Sequence, residues 1–282
     1  MKRIRMIIVG MLACFQLSAQ TYDELISRAM DAVEKDSLSQ AEALFQQALR
    51  LEPANMRNAL LFSNLGTIQR RMGKNKEALE SYSLALESYS LALNRTPYSI
   101  TMLLNRASLY LEMDHKDKAY VDYCNVIDLD EKNAEALQFR AYIYMTRRQY
   151  QDAKVDYQRL LEVLPEDKTA RIGMAMVNQK LHRYQESLEE FNRLIVDYPK
   201  DVSLLKARAE LEVEMNTPEL ALLDLESAVK LAPHDEELYV MCGEIYLTLG
   251  RKREAYTAFE KAVEMGVPRS LLHEQLKRAR SK

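Results

Sequence analysis

Five small residues, Ala119, Ala153, Ser187, Ala221 and Ala255, stand 34 positions apart along the chain. Four residues after each comes a large apolar side chain (Tyr123, Tyr157, Phe191, Leu225, Phe259). Seven after it comes another apolar one (Val126, Leu160, Leu194, Ala228, Ala262). Steps of four and three place these residues on one helical face. Twelve positions after the small residue, Pro165, Pro199 and Pro233 close the unit, with Glu131 and Val267 as departures. Twelve before it lies a second small residue: Ala107, Ala141, Ala175, Ala209 or Gly243. Two small residues flanking a turn let two antiparallel helices approach closely. Only seven glycines and seven prolines interrupt the 282 residues, which suits an all-helical chain. A fixed period of this length marks a repeat array in which each unit buries its apolar face against the next.

Upstream, Ala41, Phe45, Ala48 and Pro53, then Gly66, Ala78, Tyr82 and Ala85, supply two more units. This small/aromatic/proline skeleton resembles the tetratricopeptide repeat family, whose unit is a 34-residue helix–turn–helix. The resemblance implies an all-α, right-handed α-solenoid of about seven repeats, at 22–55, 59–99, 100–133, 134–167, 168–201, 202–235 and 236–269, with a capping helix and basic tail over 270–282. The family's first-helix tryptophan is missing throughout. Leu25, Phe62, Leu103, Leu137, Arg171, Leu205 and Tyr239 take its place, and Arg171 departs furthest.

One stretch breaks the period. The heptapeptide ESYSLAL occurs twice in succession from Glu80 to Leu93, and Ala78 precedes Ala119 by 41 residues, seven more than the period. Seven residues are nearly two helical turns, so the insertion falls roughly 20° out of phase and lengthens a helix by about 10 Å without changing its face. Tyr82, Leu86, Tyr89 and Leu93 then form one apolar stripe. Two readings stand: a harmless longer helix, or an overhanging contact edge for a partner or a second copy of the chain.

The N-terminus has a basic start (Lys2, Arg3, Arg5), an apolar run from Met6 to about Leu17, and small polar residues after it. This is the layout of a signal peptide over 1–19, and the run is short for a membrane span. The alternative is a lipoprotein signal over 1–13 with lipidation at Cys14, in which case the chain contacts an outer membrane through its lipid. Both point to export, to a periplasm or cell envelope. Cleavage removes three cations and takes the formal charge from −3 to −6, which argues against nucleic acid as a partner. Cys124 and Cys242 lie 118 residues apart, and two buried free thiols are expected rather than a disulfide.

Nothing in the sequence points to catalysis. His115, His182, His234 and His273 are isolated, three of them at expected turns, and no metal-ligand spacing, nucleophile elbow or phosphate loop occurs. No enzyme activity, cofactor or metal is expected. A charge pattern recurs instead: Arg106, Arg140 and Arg208 match Asp122, Asp156 and Asp224 sixteen residues on. Where Leu65, Met174 or Cys242 replaces the arginine, Ser81, Glu190 or Ala258 replaces the aspartate, so three intra-repeat ion pairs are expected. Arg28, facing Leu44, breaks the rule.

The resemblance further implies a concave groove lined by the first helix of each pair. Carried onto this sequence, it offers Ser63, Thr67 and Arg70, then Leu104, Ser108 and Leu111. Its middle offers Gln138, Tyr142, Met145, Ile172, Met176 and Gln179. Its last part offers Lys206, Glu210, Val213, Glu237, Val240 and Glu244. The expected groove runs from mildly polar through Met- and Tyr-rich to acidic, which suits a protein or peptide ligand. The carboxylate clamp of some family members is unmatched: Asn64 and Asn105 lack their basic companions. The tail cations Lys277, Arg278, Arg280 and Lys282 complement the dipole of a final helix.

Overall fold

The computed structural model describes residues 21–280, all helix and turn. The segment expected to be a signal peptide, Cys14 and Lys282 lie outside the described residues. No described helix is long and apolar enough to cross a membrane. The chain divides into two compact units, one ending at Asp114 and one beginning at His115.

The first unit holds α1 (Tyr22–Glu34), α2 (Leu38–Leu51), α3 (Asn58–Arg71), α4 (Asn75–Arg95) and α5 (Ile100–Glu112). The second holds α6 (Lys116–Leu129), α7 (Ala134–Thr146), α8 (Tyr150–Val163), α9 (Lys168–Lys180), α10 (Tyr184–Asp197), α11 (Val202–Glu214), α12 (Pro218–Leu231), α13 (Glu236–Thr248), α14 (Lys252–Glu264) and α15 (His273–Arg280). Odd-numbered helices up to α13 are the first (A) helix of a pair and even-numbered ones the second (B). Within each unit, consecutive helices pack in chain order, the architecture of an α-solenoid. The last helix, α15, packs on α14 and α13 and closes the array.

Local chemistry repeats with the period. Asn133, Asp167, Asp201 and Asp235 cap α7, α9, α11 and α13. Their side-chain oxygens accept from the backbone N–H of Ala136, Ala170, Ser203 and Glu237. Thr21 and Glu24 form a reciprocal capping box at the start of α1. At each A-to-B turn one residue adopts positive φ: Asp36, Gly73, Asp114, Arg148, His182, Asn216 and Gly250. The next residue's N–H then reaches back five residues, as from Gln149 to the Tyr144 carbonyl at 2.9 Å, and seals the end of the A helix.

The small columns do what close approach requires. Ala141, Ala153, Ala175, Ser187, Ala209, Ala221 and Ala255 are buried, and the aromatic column between them fills the space. A β-carbon at Gly243 would come 2.4 Å from the Phe259 ring, and one at Gly66 would come 2.5 Å from Tyr82. Cys124 and Cys242 are free thiols.

The duplicated heptad lies in α4, which runs 21 residues against 14 for α8. Its stripe is not an edge. Tyr82, Tyr89 and Leu93 are buried and Leu86 is half-buried. Tyr82, Leu86 and Tyr89 pack with Ala59, Phe62, Ala85 and Leu109, which lie on α3, α4 and α5. The reading of Tyr82, Leu86, Tyr89 and Leu93 as an overhanging contact edge is therefore corrected: a heptad insertion keeps its phase, so the second copy faces the core with the first.

Candidate partner-binding groove

The period places the outward positions of the A helices in rows. Tyr142 on α7, Met176 on α9, Glu210 on α11 and Glu244 on α13 occupy one row, each 34 residues from the last. Tyr142 is 47% exposed and Met176 41% exposed, high values for large apolar side chains. No partner binds the Tyr142 hydroxyl among the described residues. Gln138, Met145 and Ile172 are half-buried beside them, and Val213 continues the exposed apolar surface on α11. In the first unit, Thr67, Arg70 and Ser108 are exposed, while Ser63, Leu104 and Leu111 are half-buried.

Gln179 does not belong to this surface. It is 6% exposed. The next residue, Lys180, reaches Glu214 of α11 at 3.3 Å, so this turn of α9 lies in the seam between the two A helices.

The acidic end is partly neutralised from within. Lys206 forms an ion pair with Glu237 and approaches Asp235 at 3.9 Å. Glu244 lies 4.0 Å from Arg278 of the final helix. Glu210 stays exposed. The row thus passes from an apolar, hydrogen-bonding middle to a negative end whose charge the chain itself attenuates. Among the described residues no group of three or more His, Cys, Asp and Glu is placed to hold a metal ion.

Away from the groove, two of the expected ion pairs form. Arg140 donates twice to Asp156, both at 2.7 Å, and Arg208 twice to Asp224, at 2.7 and 2.6 Å. Each is the bidentate fork that arginine makes with a carboxylate. Arg106 and Asp122 fall in different units, and that pair stays an expectation.

Three features escaped the sequence pattern. Arg171 enters a cluster with Glu190, Asp197 and Glu166 beside a cleft of about 790 Å³. Glu212 is buried with one carboxyl oxygen unpartnered, and Asn178 of the preceding repeat, at the equivalent position, is buried in the same condition. A second cleft, of about 1040 Å³, opens between α12, α13 and α14. None carries a motif, because each depends on what the neighbouring repeat leaves unfilled.

Tetratricopeptide repeat models match residues 100–133, 236–265 and 140–202. The chain is similar to a crystal structure of a tetratricopeptide repeat protein from Parabacteroides merdae, with 37% identity and a TM-score of 0.70, over 93% of this chain and 100% of that one. It is also similar in fold to PilW, a widely conserved type IV pilus biogenesis factor (16% identity, TM-score 0.62, 79% of this chain and 98% of that one). YrrB, a TPR protein with an unusual peptide-binding site, is similar at 17% identity and TM-score 0.53, over 68% of this chain and 99% of that one. No curated protein matches the sequence.

Proposed function

Because this chain belongs to the tetratricopeptide repeat family, we propose that it is a non-catalytic scaffold of the bacterial cell envelope that holds a protein or peptide along its A-helix face. The observation that carries this reading is the exposed pair Tyr142 and Met176 in one row, flanked by half-buried Met145 and Ile172. Tyrosine offers a rigid apolar body with a hydrogen-bonding tip, and methionine adapts its shape, so a few such anchors concentrate the affinity of an interface. Binding consists of presenting a preformed surface, which spares the ordering cost a flexible one incurs.

The location in the envelope rests on the basic-then-apolar N-terminus and on PilW, a pilus biogenesis factor of the same fold. The peptide-binding site of YrrB supports the class of ligand.

The test is capture from envelope extract by residues 20–282, beside a Tyr142→Ala/Met176→Ala double variant with unchanged circular dichroism. A partner retained by the first and lost by the second is the expected result. Equal retention by both rejects the groove, and recovery of the native chain from the cytosolic fraction alone rejects the location.

A further inference from the structure

In two of the seams between successive B helices of the second unit an arginine is the occupant. Arg208 spans one of them: Nε and Nη2 donate to Asp224 of its own repeat, and Nη1 donates to Asn192 of the repeat before at 2.6 Å. Arg140 does the same, with Asp156 on one side and the Cys124 sulfur at 3.6 Å on the other. One period beyond Arg208, Asp224 and Asn192 stand Cys242, Ala258 and Glu226. The arginine and its aspartate are gone there, and the position opposite has become a carboxylate.

What remains is the cleft of about 1040 Å³, with Cys242 and Ala258 along it and Tyr239 and Tyr246 beside them. Glu226 accepts from the Tyr246 hydroxyl at 3.3 Å, and among the described residues it pairs with no cation. The other acids around the cleft are paired: Glu254 with Arg251, Glu264 with Lys261, Glu260 with Arg269. Burial, with the Glu226 charge, pushes the Cys242 thiol up to about 11, so it stays neutral and apolar. Arg251 already lies 4.6 Å from the centre of the Tyr246 ring, so this ring accepts a guanidinium on its face.

The geometry points to a second binding site in the last repeat, separate from the A-helix groove, that takes an arginine side chain from a segment of a partner protein. The aliphatic stem lies over Cys242 and Ala258, and the guanidinium meets Glu226 where Arg208 meets Asn192 one repeat earlier. Lysine fits less well, because a planar guanidinium can donate to both oxygens of one carboxylate and lie on an aromatic face, which a compact ammonium does less well.

The probe is the peptide acetyl-Gly-Arg-Gly-amide, titrated into the full mature chain while the NMR resonances of Tyr239 and Tyr246 are followed. Its counterpart carries citrulline, which keeps the shape and removes the charge. Saturable shifts with the arginine peptide are expected, about tenfold weaker with citrulline and with Glu226→Gln, since a charge-assisted bond is lost in both. Cys242→Arg/Ala258→Asp restores the internal pair and is expected to abolish binding. Glu226→Gln alters an exposed side chain and keeps the test alive if that double variant misfolds. Equal binding of the two peptides, indifference to Glu226→Gln, or no saturable shift at all overturns the proposal. Tyr142→Ala/Met176→Ala leaves the arginine response intact, so this site and the groove fail or stand separately.

Discussion

Arg171 donates from Nε to Glu190 at 2.6 Å and from Nη1 to Asp197 at 2.7 Å. In the adjoining repeats the arginine stands three residues later, as Arg140 or Arg208, and its acceptor is an aspartate. Here Met174 occupies that place. The arginine has moved back one turn on the same helical face, and the acceptor has lengthened from aspartate to glutamate to cover the added distance.

Because the Arg171 side chain is only 11% exposed, removing it takes the cation from Asp197 and leaves Glu190 only the longer contact with Arg193 at 3.7 Å. Arg171→Met is expected to lower stability by about 2–4 kcal/mol in urea unfolding. Adding Met174→Arg should recover much of the loss by rebuilding the pairing of the neighbouring repeats. A double variant no more stable than the single one contradicts this equivalence.

The two copies of the heptad make a natural comparison. Tyr82 donates its hydroxyl to Thr67 at 3.3 Å or to Glu112 at 3.2 Å, whereas the buried Tyr89 hydroxyl has no partner among the described residues. Burial alone pushes the Tyr89 phenol up to about 12. Tyr89→Phe is expected to be neutral or to raise the unfolding midpoint. Tyr82→Phe should cost about 1 kcal/mol. Equal losses in both would show that the Tyr89 hydroxyl is satisfied in solution.

Glu212 gives stability a pH dependence. Its carboxyl is pushed up to about 7 from 4.5, first by burial and then by the Asp224 charge, with Arg208 opposing. Between these values the folded chain holds a proton that the unfolded chain releases, so this contribution is full below about 4.5 and is lost as pH rises through about 7. Glu212→Gln should therefore match the native chain at pH 4 and exceed it at pH 8 by about 1–3 kcal/mol. Thermal melts of both proteins at the two pH values measure the difference, in which the other carboxylates cancel.

Arg148 holds φ at +59° in its A-to-B turn, where two other repeats use Gly73 and Gly250. A side chain in this region costs about 1 kcal/mol relative to glycine. Arg148→Gly is expected to raise stability by somewhat less, because glycine also gains freedom in the unfolded chain. A lower midpoint would mean that the Arg148 side chain makes a contribution its exposed position does not suggest.

The sequence by itself determined the period, the paired small columns, the length of α4 and two of the ion pairs, Arg140 with Asp156 and Arg208 with Asp224. These are legible because equivalent positions in a repeat array have equivalent neighbours, so spacing along the chain stands for contact in space. Tertiary structure decided the rest: that the stripe from Tyr82 to Leu93 is core, that Gln179 is buried while Tyr142 and Met176 are open, and that Arg171 substitutes for an absent arginine. It also decided that a cleft remains at Cys242. Each of these depends on what an adjacent helix covers or leaves uncovered, and close packing settles that only when side chains of different repeats meet.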